Sequence, residues 1–544
     1  MTTTTVRDAT FEVLRRYGLT RIFSNPGSTE LPFLVDLPDD LTFVLGLHEG
    51  SVVGMATGWA IATGRPAFAL LHTTAGLGNA VGAIATARVN RAPLVVAVGQ
   101  QDRRHLAAEP FLAGHLEGLA GSYPVWTAQP IRAADVPGTL ARAWHEAQAG
   151  RGPAIVVVPM DDWAAPTAVE SAASPAVVRH VRGVDPDALR ELAALVDGAV
   201  APAIVVGAGA DDEASWTALV ELAERLRCPV FQEAFGARAG FPQDHRSFAG
   251  LLPAGRAALR AVLKPHDVVV VVGTSAFRQY QFEPGPLAPE STRVAVVTDD
   301  PAEAHRSPAA MAVVGPAAAI CQLLAAAVGA RHDTPAAEVR RAELPAPLGD
   351  DEALSAADVL GALARRLSPD TVLVEEAPSA RPTLHALIPA RQPLGFLSAA
   401  MGGLGFALPA AAGVRMARPD RPVVVVAGDG AALYGIQALW SAARYFCGVL
   451  YVVLSNGRYA VMDRLAAAHD GVGGKPAWPA FDEVSIAGLA RSFGCPARRV
   501  TTYAELVVAL DEVLPGLAAR DEPLVLDVAV TPGDTFRADQ TVAL

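Results

Sequence analysis

The sequence has few cysteines, and they lie far apart. Its 544 residues include only Cys228, Cys321, Cys447 and Cys495, and no two of them form a C-x-x-C pair. This spacing excludes the usual disulfide framework and the usual zinc-binding pattern. We therefore expect buried thiols in a reducing compartment, which predicts a cytoplasmic protein.

The sequence also lacks a long apolar run and a cluster of basic residues. No uninterrupted apolar stretch approaches the roughly 20 residues that span a bilayer. The N-terminal segment MTTTTVRDATFEVLRRYG has no apolar core of the signal-peptide type. The formal net charge is -12, whereas binding to nucleic acid calls for a basic patch. These absences predict that neither a membrane nor a nucleic acid is a partner.

The chain does contain regularly alternating strand and helix patterns, which are typical of α/β proteins with mostly parallel sheets. Its length indicates several domains, and two stretches rich in Pro, Ser, Ala and charge, around 172–185 and 329–351, resemble linkers. We predict three doubly wound α/β domains, at residues 1–180, 185–340 and 350–544.

The stretch from Arg421 to Asp463 carries the most specific pattern. Two short apolar, β-branched runs, Val423–Ala427 and Val449–Leu454, flank an Ala-rich helical segment. Such a strand–helix–strand unit joins parallel strands, so both strands end at the same edge of the sheet. Ligands of open α/β sheets bind at that carboxyl edge.

The residues at this edge suit a Mg²⁺–diphosphate site. Gly428-Asp429-Gly430 follows the first strand and Asn456-Gly457 follows the second. Asp429 offers a carboxylate, Asn456 an amide oxygen, and Arg458 a backbone carbonyl, and Mg²⁺ prefers few protein oxygens together with phosphate. Glycines let backbone N–H groups approach a phosphate closely. A lone Gly-Asp-Gly is usually a plain turn, so the prediction depends on the combination.

Polar residues also follow four predicted strands in the N-terminal third. The four positions Ser28, Glu49, His72 and Gln100-Gln101 lie just beyond the predicted strands Arg21–Ser24, Thr42–Leu47, Ala67–Leu71 and Leu94–Val98. This predicts a second set of side chains at one sheet edge. Glu49 is suited to proton exchange, but at the start of a helix it could equally serve the helix dipole. Ser28 could be a turn hydroxyl, and His72 a buried core histidine.

Gly207-Ala208-Gly209 follows an apolar strand and invites a dinucleotide-binding interpretation. The third glycine of that motif is missing, because Asp212 stands in its place. A plain turn at the end of the strand is the favoured interpretation.

Several motifs together resemble the thiamine-diphosphate-dependent enzymes, and within them benzoylformate decarboxylase. They are Asn25-Pro26-Gly27-Ser28-Thr29-Glu30-Leu31-Pro32-Phe33, Leu71-His72-Thr73-Thr74-Ala75-Gly76, Gly402-Gly403-Leu404-Gly405 and Gly428-Asp429-Gly430 with Asn456-Gly457. Ser455 stands where that family has a first asparagine, which leaves Asn456 in place. The resemblance covers nearly the whole chain and implies a pyrimidine-binding, a middle and a diphosphate-binding domain.

The resemblance also implies residue roles. Glu49 would contact the aminopyrimidine ring of thiamine diphosphate, Ser28 would hold a substrate carboxylate, and His72 would transfer protons. Leu404 would impose the bent shape of the cofactor. The expected metal ligands are Asp429, Asn456 and the carbonyl of Arg458, and the expected cofactor-binding residues are Glu49, Gly402, Leu404, Gly428, Asp429, Gly430, Ala431, Asn456, Tyr459 and Ala460.

One position departs from the decarboxylase pattern. The second active-site histidine of the family corresponds to Tyr280, and a phenol has a reference pKa of about 10 against about 6.5 for imidazole. Slower protonation after CO₂ loss would favour attack on a second carbonyl compound. The resemblance therefore implies a thiamine-diphosphate- and Mg²⁺-dependent lyase that converts a 2-oxo acid to an aldehyde, with carboligation as an added activity.

Two alternatives remain. The first is a carbon–carbon ligase like acetolactate synthase or benzaldehyde lyase, with an aldehyde or a second 2-oxo acid as acceptor, and the second is a catalytically idle regulatory relative. The intact set of Glu49, Asp429 and Asn456 argues against the latter. The resemblance further implies a homodimer or homotetramer with active sites at the subunit interface.

Overall fold

The computed structural model describes residues 4–167, 178, 183–332, 342–349, 352–468 and 476–532. Its described strands form three six-stranded sheets in which every pairing between strands is parallel. This confirms the predicted fold class. Within these residues, no helix combines the length and the apolarity needed to cross a bilayer.

The first sheet has the strand order β2-β1-β3-β4-β6-β5. Its strands are β1 (Arg21–Asn25), β2 (Thr42–Leu45), β3 (Ala67–Leu71), β4 (Leu94–Gln100), β5 (Trp126–Ala128) and β6 (Pro153–Pro159). Its helices are α1 (Val6–Tyr17), α2 (Leu31–Leu34), α3 (Glu49–Thr63), α4 (Thr73–Val89) and α5 (Val136–Gly150).

The second sheet has the order β12-β11-β10-β7-β8-β9. Its strands are β7 (Pro202–Val206), β8 (Val230–Gln232), β9 (Phe248–Leu251), β10 (Val268–Val272), β11 (Arg293–Thr298) and β12 (Met311–Val314). Its helices are α6 (Pro186–Asp197), α7 (Glu213–Leu226), α8 (Arg256–Leu263), α9 (Pro301–His305) and α10 (Ala317–Ala327).

The third sheet has the order β14-β13-β15-β16-β18-β17. Its strands are β13 (Val372–Glu376), β14 (Phe396–Ser398), β15 (Val423–Gly428), β16 (Val449–Ser455), β17 (Ala497–Val500) and β18 (Leu524–Ala529). Its helices are α11 (Ala356–Ala364), α12 (Arg381–Leu387), α13 (Ala407–Ala417), α14 (Asp429–Ala432), α15 (Ala438–Arg444), α16 (Ala460–Ala468), α17 (Ile486–Ser492) and α18 (Tyr503–Val513).

The three sheets agree with the predicted order of three α/β units. Most of the first predicted linker, around 172–185, and part of the second, around 329–351, lie outside the described residues. The domain limits at 1–180, 185–340 and 350–544 therefore stay predictions.

Helices α3 and α13 join the first and third sheets through close backbone contact. A methyl group added at Gly58 would lie 2.0 Å from the carbonyl oxygen of Ala410, and one added at Gly413 would lie 1.9 Å from that of Met55. Around this contact a single apolar core contains side chains of both domains, among them Phe23 and Val425. The two domains are therefore packed as one body within the chain.

Glu376, the last residue of β13, holds the start of α13. Its carboxylate accepts the backbone N–H groups of Gly405, Phe406 and Ala407, at 2.5, 3.1 and 2.6 Å. The residue is only 5% exposed, and burial raises the pKa of Glu376 to about 8, although the three N–H donors favour the charged form. One carboxyl group thus fixes the turn that precedes α13.

The carboxyl edge of the second sheet is covered by an arginine from the first domain. Arg91 forms ion pairs with Asp299 at 3.1 Å and with Glu303 at 2.6 Å. A methyl group at Gly209 would lie 2.6 Å from Nη1 of Arg91. The guanidinium therefore occupies the space over the glycine turn that a bound phosphate would need, which agrees with the plain-turn interpretation of Gly207-Ala208-Gly209.

We predict that Gly58→Ala lowers the free energy of unfolding by about 1–3 kcal/mol, because the new methyl group overpacks the contact between α3 and α13. Chemical denaturation would measure the change. Gly516→Ala is the control, since a methyl group there meets no atom within 4 Å. Equal stability of the two variants would contradict close packing at Gly58.

A second prediction concerns pH. Because folding raises the pKa of Glu376 from 4.5 to about 8, the folded state binds more protons between these values. The free energy of unfolding should therefore fall as the pH rises through this interval. Glu376→Gln cannot titrate and should flatten that decline, by a few kcal/mol at most, since one pKa unit corresponds to about 1.4 kcal/mol.

The control for this pH prediction is Glu505→Gln. Glu505 also accepts backbone N–H groups, from Thr501 and Thr502 at the start of α18. It is exposed, and those hydrogen bonds lower its pKa below the ordinary value. Its variant should keep the wild-type decline between pH 4.5 and about 8. Parallel stability curves for wild type and Glu376→Gln would refute the prediction.

Candidate active site

The carboxyl edge of the third sheet brings Asp429 and Asn456 together. Asp429 begins α14 directly after β15, and Asn456 follows the neighbouring strand β16. Asp429 Oδ2 accepts the backbone N–H groups of Asn456 at 2.8 Å and Gly457 at 2.7 Å, and Oδ1 accepts that of Gly430 at 2.8 Å. Asp429 thus ties the ends of both strands into one rigid corner.

Asp429 is a desolvated carboxylate that faces a cleft. It is 6% exposed, and burial raises its pKa above the ordinary value, while the hydrogen bonds from Gly457, Gly430 and Asn456 oppose the rise. A buried negative charge of this kind gains most from a nearby cation. The corner is therefore suited to a metal ion.

The cleft at this corner has a volume of about 290 Å³. It is lined by every predicted cofactor-binding residue except Glu49, and by every predicted metal ligand: Gly402, Leu404, Gly428, Asp429, Gly430, Ala431, Asn456, Arg458, Tyr459 and Ala460. A methyl group added at Gly428 or Gly402 would meet no atom within 4 Å. The sequence thus predicted a set of residues that share one cavity.

Ser455, which stands where the family motif has its first asparagine, takes part in a hydrogen-bond network outside the cleft corner. Its hydroxyl donates to Asp527 Oδ1 at 2.6 Å, and Asp527 also accepts the N–H of Ala487 and pairs with Arg499. Asn456 Oδ1 accepts the N–H of Arg458 at 3.1 Å. The substitution therefore leaves the amide of Asn456 at the corner.

Leu404 lies in the cleft wall just before α13. The carboxylate of Glu376 holds the next three backbone N–H groups, so it fixes the turn that presents Leu404. Glu376 is not among the residues predicted from the sequence. A glutamate that ends a buried strand was the available signal, but its partners are far away in the sequence.

Glu49 lies at the carboxyl edge of the first sheet, as the first residue of α3. Its two carboxylate oxygens accept from Asn25 Nδ2 and Asn79 Nδ2, each at 3.1 Å. Asn25 belongs to the first motif quoted above and Asn79 lies three residues after the second, but neither was predicted to have a role. They fix the orientation of a buried carboxylate.

Ser28 and His72 lie at the same edge. Ser28 is exposed in a short 3₁₀ turn between Gly27 and Thr29. His72 precedes α4, and its Nδ1 lies 3.0 Å from Glu30 Oε2 and 3.0 Å from Thr29 Oγ1. The structure thus brings these two predicted residues together.

Tyr280 lies on a loop of the second domain and is 51% exposed. The same loop is anchored through Arg278, which pairs with Glu233 at 2.8 Å and donates to the carbonyl of Ala400 at 3.1 Å. Ala400 is two residues before Gly402 of the cleft wall. The loop is therefore attached to the rim of the cleft.

Among the described residues, no hydrogen bond or ion pair joins Glu49 to Asp429 or Asn456. Glu49, Ser28 and His72 form one group at the first sheet, and the cleft residues form another at the third. These predicted site residues therefore lie in two groups, one at the carboxyl edge of each of the two sheets.

Family models match each of the three α/β units of the chain. Residues 4–119 match the N-terminal TPP binding domain of the thiamine pyrophosphate enzymes, residues 189–324 match their central domain, and residues 379–528 match their C-terminal TPP binding domain.

Individual relatives cover nearly the whole chain. A benzoylformate decarboxylase of Pseudomonas aeruginosa is 39% identical over 96% of this chain and 98% of its own. An acetolactate synthase of Mycobacterium bovis is 28% identical over 96% and 87%. The solved structure of a thiamine diphosphate-dependent 4-hydroxybenzoylformate decarboxylase from Rhodococcus jostii RHA1 is 35% identical over 97% and 99%, with a TM-score of 0.91. The chain therefore belongs to the thiamine-diphosphate-dependent enzymes, among the decarboxylases related to benzoylformate decarboxylase.

Proposed function

We propose that this enzyme uses thiamine diphosphate and Mg²⁺ to convert a 2-oxo acid to an aldehyde and CO₂. The observation that carries the proposal is the corner that Asp429 and Asn456 form in a cleft, which Gly402, Gly428 and Gly430 also line. The 39% identity to a benzoylformate decarboxylase supports the choice of reaction.

The residues of the cleft suit the diphosphate and its metal. Asp429 and Asn456 offer oxygen ligands, and a carbonyl such as that of Arg458 offers a third. In the described part of the chain, no three His, Cys, Asp or Glu side chains form a metal-binding group. A cation here would depend on few protein oxygens and on phosphate, which is the coordination that Mg²⁺ accepts. Gly428 leaves room for the phosphates, since a methyl group there would meet no atom within 4 Å.

The remaining residues of the site would bind the cofactor and orient it. Thiamine diphosphate, when bound, supplies an electron sink for the electron pair that CO₂ leaves behind. Glu49, held by Asn25 and Asn79, exchanges a proton with a ring nitrogen through its carboxylate oxygen. Leu404, Tyr459 and Ala460 line the cleft and would pack against the cofactor.

Ser28, His72 and Tyr280 act on the substrate. The Ser28 hydroxyl donates a hydrogen bond to the carboxylate of the 2-oxo acid, and His72 moves a proton through its ring. Tyr280 hydrogen-bonds to the substrate from the loop that Arg278 anchors.

We further propose a homodimer, or a tetramer built from two dimers. Among the described residues of one chain, Glu49 makes no hydrogen bond or ion pair with Asp429, and the resemblance to the thiamine-diphosphate-dependent enzymes implies active sites at the subunit interface. A complete site would therefore pair the first domain of one subunit with the third domain of the other. The four cysteines are free and buried, which supports a reducing location such as the cytoplasm.

Carboligation is the second candidate function. Tyr280 favours it, because a phenol with a reference pKa near 10 is a weaker acid than an imidazolium and protonates a carbon more slowly. The acetolactate synthase relative at 28% identity supports the same alternative.

The test is product analysis by NMR over time, with purified enzyme, thiamine diphosphate and Mg²⁺. The substrates are benzoylformate, pyruvate and a branched 2-oxo acid, each with and without added aldehyde. We expect free aldehyde as the main product. A 2-hydroxyketone or a 2-hydroxy-2-alkyl-3-oxo acid would favour the ligase. No turnover with cofactor bound would favour the idle relative.

Two variants test the role of Glu49 and the role of Asp429 separately, the first by turnover and the second by cofactor binding. Glu49→Gln should lower kcat by about 10²- to 10⁴-fold while the cofactor still binds, as measured by calorimetry. Asp429→Asn should weaken Mg²⁺-dependent cofactor binding by at least about tenfold, since it removes the charge that holds the cation. Asp162→Asn, at a buried carboxylate paired with Arg103, is the control for burial. Full turnover by Glu49→Gln would refute its role.

A further inference from the structure

Glu30 lies behind His72 and is almost completely buried, at 1% exposure. Its carboxylate has three partners. Oε2 accepts the backbone N–H of Gly27 at 2.8 Å and lies 3.0 Å from His72 Nδ1, while Oε1 accepts the hydroxyl of Thr29 in a short hydrogen bond. No role for Glu30 follows from the proposed function so far.

Two glycines leave space for this arrangement. A methyl group at Gly27 would lie 2.4 Å from His72 Nδ1, and one at Gly99 would lie 1.8 Å from Glu30 Oε1. Neither position has room for a side chain while His72 and Glu30 keep their places. The His72 ring therefore packs directly against the backbone of Gly27, and the Glu30 carboxylate packs against that of Gly99.

The hydrogen bonds decide which ring nitrogen of His72 carries a proton. The single hydroxyl proton of Thr29 is donated to Glu30, so the Thr29 oxygen can only accept from Nδ1. Oε2 of Glu30, the other neighbour of Nδ1, is also an acceptor. Both neighbours require a donor, so Nδ1 carries the hydrogen and Nε2 is left with its lone pair.

We propose that Glu30 is the positioning residue for His72. It fixes the tautomer with the hydrogen on Nδ1 and orients the ring so that Nε2 is the nitrogen that exchanges protons with the substrate. The proposal rests on the proposed proton-transfer role of His72. A carboxylate that orients an imidazole in this way changes the rate through the tautomer and not through direct contact with the substrate.

The first test determines the tautomer of His72 by NMR and does not depend on catalytic turnover. Holoenzyme with ¹⁵N-labelled histidine would be studied by NMR at about pH 8.5, where a free imidazole is neutral. His72 would be assigned among the 12 histidines by its loss in His72→Gln. We expect a proton on Nδ1 and none on Nε2. A proton on Nε2 of the wild-type ring would overturn the proposal, and this result needs no variant of Glu30 to fold.

The second test uses Glu30→Gln. Its amide oxygen can keep the bond from Gly27, while its NH₂ group takes the place of Oε1 and donates to Thr29, which frees the Thr29 hydroxyl proton for donation to Nδ1. The ring of His72 should shift toward the tautomer protonated on Nε2, and kcat with benzoylformate should fall by about 10²-fold with little change in KM. The double variant Glu30→Gln/His72→Ala should be no slower than His72→Ala alone. Additive losses of the two single variants would overturn the proposal.

The control is Glu303→Gln in the second domain. Glu303 is similarly buried, at 7% exposure, and accepts from Thr298 while it pairs with Arg91. Its variant should lose stability without a change in kcat. If Glu30→Gln shifts the tautomer but turns over normally, the positioning role is supported, and the proton-transfer role given to His72 in the proposed function is wrong.

Discussion

The site depends on the contact between α3 and α13, where two backbones approach more closely than any side chain would allow. The N-terminal ends of these helices carry candidate site residues. Helix α3 begins with Glu49, and α13 begins three residues after Leu404. A shift of one helix along the other would displace a carboxylate in one half of the site and an apolar contact in the other. The apolar core that both domains share therefore also controls the geometry of the site.

Much of this arrangement could be predicted because the strands are buried on both faces. The predicted runs Val423–Ala427 and Val449–Leu454 lack only the last residue of β15 and β16, since apolar β-branched runs mark such strands directly. Helix α3 begins with Glu49 itself, because His48 Nδ1 accepts the N–H of Gly50 and caps the helix.

The supporting carboxylates could not be predicted from the sequence. Glu376 bonds to residues 29 to 31 positions away, and Glu30 to a histidine 42 positions away. Periodicity indicates which face of an element is buried, but it does not identify the partner of a polar group there. Tyr280 raises the same difficulty in another form. Its loop reaches the cleft rim through a hydrogen bond from Arg278 to Ala400, two residues that are 122 positions apart in the sequence.

The second domain has the topology of a nucleotide-binding fold, yet its contacts indicate a mechanical role. Arg91 covers the glycine turn and pairs with Asp299 and Glu303, and Arg151 also pairs with Asp299, so these two carboxylates already have cationic partners. A phosphate could enter only by displacing a buried guanidinium from two carboxylates, which is energetically unfavourable. The same domain donates from Arg278 to Ala400 and accepts the N–H of Ser398 at the Ala237 carbonyl. It therefore braces β14 and the segment that leads to Gly402, and so supports the wall of the cleft.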